Sequence, residues 1–157
     1  MNHIVFDFVN LFAVGLLAGE ELVICYGVRG AINTLDEESH IRLRQALIRR
    51  LRILVPAILV PTILTGFVAL LLDRDDSGFG FRCAGAFALV AFILITLFGT
   101  VPINEGALDW QPDAPPSDWR AIVNRWEKLD VARCWAAIAA FVCFTVAVAL
   151  KVSNPLG

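Results

Sequence analysis

The chain has 157 residues, of which 58% are hydrophobic and 18% charged, and its formal net charge is −2. With a mean hydropathy of +0.71, it carries more apolar surface than a soluble domain of this length can hide beneath a polar exterior. So small a net charge gives no reason to expect nucleic acid as a partner.

The length suits a single domain, residues 1–157. Four apolar runs, 4–28, 53–72, 83–103 and 131–150, are each long enough for a bilayer core that takes about 20 helical residues. The expected fold is therefore all-α: a membrane-embedded four-helix bundle with amphipathic helical segments on the cytoplasmic side.

The first run holds Asp7, Glu20 and Glu21. Asp7 is near the outer end and is expected at the interface. Glu20 and Glu21 lie roughly 10–12 Å inside the other end. Ionisable groups at such depth cost about 3 kcal/mol each on insertion scales and commonly mark function. Adjacent positions on a helix point about 100° apart, so Glu20 is expected to face away from Glu21, where a partner's helix can meet it. Gly15 and Gly19 form a small-residue stripe suited to helix packing.

Thr34-Leu-Asp-Glu37 reads as a capping box that opens a helix running into the second span. On that helix His40, Arg44, Leu47 and Leu51 share a face. Arg42, Arg49 and Arg52 share another, suited to lipid phosphates. Pro56 and Pro61 should bend the second span. The third ends at Asn104, before a loop containing Pro112, Pro115 and Pro116. Ser117 then caps a predicted amphipathic helix whose stripe is Trp119, Ile122, Val123, Trp126 and Leu129. That helix is expected to lie along the membrane surface, leading into the fourth span through Asp130 and Arg133.

Ten of the thirteen Lys and Arg residues fall on the connections between spans one and two and between three and four. Basic excess marks the cytoplasmic face, which puts both termini outside, periplasmic in a bacterial inner membrane. The four tryptophans and Tyr26 gather near that same face. Belts of interfacial aromatics normally occupy both faces, so some of these rings are candidates for a site wall. The four cysteines are scattered singly, with no zinc spacing and no disulfide framework, and read as small buried apolar residues. The two histidines, His3 and His40, are expected on opposite sides, which argues against bis-histidine haem ligation.

This topology collects Glu21, His40, Arg44, Asn104, Asp130 and Arg133 at the cytoplasmic end of the bundle. A polar pocket there, walled by Trp110 or Trp126, is the candidate site. Asp130 and Arg133, three apart, are alternatively a simple surface ion pair.

The stretch Val101-Pro-Ile-Asn104, then Trp110, Ala114-Pro-Pro-Ser-Asp-Trp119, Arg125-Trp-Glu127 and Arg133 resembles the anthrone-oxygenase-like family of small four-span membrane proteins. Gly15-Leu-Leu-Ala-Gly-Glu-Glu21 and the segment from His40 to Arg44 resemble one branch of it. Some members oxidise an anthrone to an anthraquinone with dioxygen. Members often carry a histidine three residues before the final arginine; here that position is Asp130.

The resemblance implies a cofactor-independent oxygenase with dioxygen as co-substrate and no metal. In that reading Glu21 or His40 is the base, Arg44 or Arg133 with Asn104 stabilises an enolate, and Trp110, Trp126 and Asp130 bind an apolar aromatic or quinone-like molecule. The competing reading is a non-catalytic accessory subunit, packed in the lipid bilayer against a second copy or other membrane subunits.

Overall fold

A computed structural model of the chain describes residues 2–72, 74 and 77–153, the side chains of Asn2 and His3 excepted; the placement expected for His3 thus lies outside the described residues. Four helices are long and apolar enough to cross a membrane: α1 (Ile4–Ile32), α2 (Glu37–Leu72), α3 (Phe79–Leu108) and α4 (Trp119–Ser153). Among the described residues there is no strand, and one isolated bridge, Gln111 to Ala114, ties the α3–α4 connection. The helices outrun the apolar segments that announced them. At 1.5 Å per residue the 36 residues of α2 extend about 54 Å, well past a hydrocarbon core of about 30 Å.

α1 packs against α2 and α4, and α3 packs most closely against α4 and more loosely against α2. The core runs along the bundle axis through Val14, Leu17, Val55, Leu89, Phe92, Ala137, Ala140 and Phe144. Outward faces are apolar as well, with Phe12, Ile53, Phe87 and Phe98 exposed. Helices apolar on all sides belong in lipid rather than water.

At the end of the bundle that carries the termini, Asp7 is 1% exposed. Arg82 Nη1 donates to its Oδ1 at 2.5 Å and Lys151 Nζ to its Oδ2 at 2.8 Å. The interfacial placement expected for Asp7 is therefore overturned. Cations from α3 and α4 converge on it, and a buried carboxylate is tolerable when paired and hydrogen-bonded. Asn10 adds a second polar tie, donating to the Thr62 carbonyl and to Thr65 Oγ1, both at 3.0 Å.

The expected capping box is also corrected. The cap of α2 is Asp36, whose Oδ1 accepts the Ser39 N–H at 3.0 Å; Thr34 instead donates its hydroxyl to the Ala31 carbonyl. That amide bond holds the exposed Asp36 carboxyl below its ordinary value. Pro56 and Pro61 sit inside α2 without ending it, and the hydroxyls of Thr62 and Thr65 bond the carbonyls of Ile58 and Pro61.

The surface helix expected after Ser117 is not separate. It begins at Trp119 and continues unbroken to Ser153, because that stretch contains neither glycine nor proline. Of the Gly15–Gly19 stripe only Gly15 is crowded: a Cβ there would come within 3.2 Å of Phe141, whereas Gly19 faces open space.

Candidate functional site

Two π-helical turns interrupt the bundle at matching depth, Val23–Val28 in α1 and Thr96–Thr100 in α3. A π turn inserts an extra residue, turns the following side chains about the axis and loosens the carbonyl ladder, and such turns recur at functional sites. In α3 threonines take up the loosened carbonyls, with Thr96 Oγ1 on the Phe92 carbonyl at 2.7 Å and Thr100 Oγ1 on that of Thr96 at 3.3 Å.

Between the two turns, toward the arginine-rich end, lies a cavity of about 430 Å³. All four helices contribute to its wall. Leu51, Val55, Leu59 and Leu97 line its apolar part, and Glu20, Glu21, Arg44, Asn104, Asp130 and Arg133 its polar part. Its size falls within the range of about 300–1,000 Å³ common for small-molecule sites.

The polar wall is organised around Arg133. Its Nη2 pairs with Glu21 Oε1, and its Nη1 donates to Thr100 Oγ1 at 3.2 Å. The guanidinium also sits over the Phe92 ring, 4.9 Å from the centroid. Asp130 is 1% exposed, and the simple surface pair envisaged for it with Arg133 does not occur: both are buried and Arg133 turns to Glu21. Glu21 Oε2, Glu20 Oε2, Asp130 Oδ2, Asn104 Oδ1 and Arg133 Nε are buried with no hydrogen-bond partner among the described residues. Natural interiors leave few such atoms, and here they gather on one cavity wall. The Cys25 thiol of α1 and the Cys134 thiol of α4 are both buried and free.

Six of the eight expected site residues line the cavity: Glu21, Arg44, Asn104, Trp126, Asp130 and Arg133. Two stand elsewhere. His40 packs edge-on to Trp119, with ring centroids 5.2 Å apart, and lines a separate hollow with Asn33 and Asn124. It sits a full turn before Arg44, beyond the cavity's mouth. Trp110 packs against Ile41, Trp119 and Val123. Its carbonyl accepts from Gln45 Nε2 at 2.9 Å.

Glu20, expected to face away, also lines the cavity, because the hollow is wide enough to be flanked by adjacent positions. Thr100 and Gln45 were not singled out in the sequence. Gln45 also bonds the Ala107 carbonyl at 3.0 Å, fastening the end of α3 to α2. No periodicity flags a lone polar residue of that kind; a buried amide position on an arginine-rich helix is the only signal. Among the described residues no three His, Cys, Asp or Glu side chains group as metal ligands.

A family model described as anthrone oxygenase matches residues 45–143. The chain belongs to the anthrone oxygenase family. The match begins at Gln45 and ends at Cys143, so it covers the cavity-lining parts of α2 beyond Arg44, all of α3 and the polar wall of α4. Glu20 and Glu21 lie outside it. Comparison with curated proteins and with solved structures gave no match.

Proposed function

We propose that this member of the anthrone oxygenase family oxidises a planar, lipid-soluble anthrone in the bundle cavity, using dioxygen as co-substrate. The observation that carries the reading is the cavity itself. A hollow of about 430 Å³ bounded by carboxylate, amide and guanidinium groups beside an apolar wall has the character of a binding site. An accessory subunit would be expected to fill that space with its own side chains.

In this reading Glu21 is the base. Arg133 fixes its Oε1, while Oε2 has no partner and takes a proton from the methylene carbon opposite the anthrone carbonyl. The resulting anion is aromatic, and its oxygen is met by Arg133 and the Asn104 amide. The electron-rich carbon forms a bond to dioxygen, and the proton returns from Glu21 to give a hydroperoxide. Loss of the second proton from that carbon breaks the O–O bond, leaving the new carbonyl and releasing water. Anthrone and dioxygen thus yield anthraquinone and water, with no external electron donor. Trp126 walls the site. His40 has no part in the chemistry. The arginine-rich end faces the cytoplasm in this reading, with the termini on the other side.

The test is turnover of anthrone by the purified protein in lipid nanodiscs, followed as dioxygen uptake and anthraquinone absorbance above a protein-free control. E21Q should lower kcat by about 10²–10⁴-fold, the usual worth of a general base, and H40A should leave it unchanged. Full turnover in E21Q would remove Glu21 as the base. No turnover by the wild type would remove the oxygenase reading for this substrate.

A further inference from the structure

Three arginines are buried among the described residues: Arg44, Arg82 and Arg133. Arg82 pairs with Asp7 and Arg133 with Glu21. Arg44 differs. It is 8% exposed and lines the cavity, but its Nε has no partner, and it forms no hydrogen bond or ion pair among the described residues. Glu127 and Asp130 are near enough for their fields to reach it, yet neither bonds to it. The Trp126 ring centroid lies 4.4 Å from its guanidinium carbon.

A buried cation without a counter-ion is costly, and the same helix shows an easy way out. Arg42, Arg49, Arg50 and Arg52 all reach the surface. Arg44 instead sits over the Trp126 indole, and an unbonded guanidinium fork suits two parallel hydrogen bonds to a carboxylate. Beyond it along α2 the wall is mainly apolar, through Leu47, Leu51, Val55 and Leu59, with the exposed Arg52 as its one charged member. The unbonded Arg44 guanidinium and the apolar trough lie in one cavity.

We infer that the cavity takes a planar aromatic acid, its carboxylate held by the Arg44 guanidinium and its rings lying in the trough along Leu51, Val55 and Leu59. This rests on the oxygenase reading only for the ring system. It adds that the substrate carries an acidic substituent, and it assigns Arg44 to specificity rather than to the reacting carbon.

The probes are anthraquinone-2-carboxylate and its neutral carboxamide, titrated against the full chain in nanodiscs of zwitterionic lipid, with tryptophan fluorescence as readout. The wild type should bind the acid at least about tenfold tighter than the amide, the worth of one charged hydrogen-bonded contact. R44Q should erase that preference while binding the amide as the wild type does, which also shows that the cavity is intact. R44K, a point charge without the fork, should keep part of it.

Equal binding of acid and amide by the wild type overturns the inference, as does an undiminished preference in R44Q. Oleate displacing the aromatic acid at equal concentration overturns the aromatic part. Turnover of neutral anthrone without any acid preference removes this inference and leaves the oxygenase. Acid binding without turnover of any anthrone does the reverse.

Discussion

Glu21 and Arg133, 112 positions apart in the chain, share a buried bond that neither residue could afford to lose alone. Removing one partner of a buried ion pair strands the other charge, at about 3–5 kcal/mol, whereas replacing both with apolar residues is often close to neutral. R133M should therefore lower the thermal unfolding midpoint in detergent sharply, and E21L/R133M should recover most of the loss. A double variant no more stable than R133M would mean that the pair is not what ties α4 to α1. Thr100 refines the same contact, donating to its own helix while accepting from Arg133, so the guanidinium is held in one orientation. Sequence reasoning found Glu21 and Arg133 separately, since charges inside apolar runs stand out. It did not find their bond, which depends on helix rotation.

The helices contribute in different ways. α1 and α3 hold the π turns, which re-aim side chains and open the space between them, while α2 and α4 supply long continuous rails. Close approach of α3 to α4 depends on Gly78: a Cβ there would stand 2.5 Å from the Ala147 carbonyl oxygen and 2.9 Å from its Cα. Backbone cannot yield as a flexible side chain can. G78A should destabilise the bundle by about 1–3 kcal/mol, the usual range for overpacking, whereas G80A, which faces open space, should be silent or slightly stabilising. Thermal unfolding of the two variants compares them directly, and equal midpoints would show that α3 starts with slack. The continuity of α4 was legible in its lack of glycine and proline, although amphipathicity at its start suggested a separate surface helix. The π turns have no sequence signature here, because they arise from packing rather than from propensity.

For the whole molecule, the basic connections make a directional prediction. Single cysteines introduced at Ser117 or Asn33, in a background lacking the native cysteines, should resist a membrane-impermeant thiol reagent in intact cells and react after lysis. One placed at Ser77 should react without lysis. The opposite pattern would invert the proposed orientation. Length, composition and the spacing of apolar runs by themselves determined four helices long and apolar enough to cross a membrane, because the bilayer sets both the length and the chemistry such helices need. Short motifs along the chain carried the family resemblance. The tertiary structure decided which polar groups meet. It drew Asp7 into a buried clamp, turned Glu20 toward the cavity, sent His40 and Trp110 to a neighbouring cluster, and left Arg44 with no bonded carboxylate among the described residues. Those outcomes depend on the rotation and depth of each helix against its neighbours, which side-chain packing fixes and hydropathy does not.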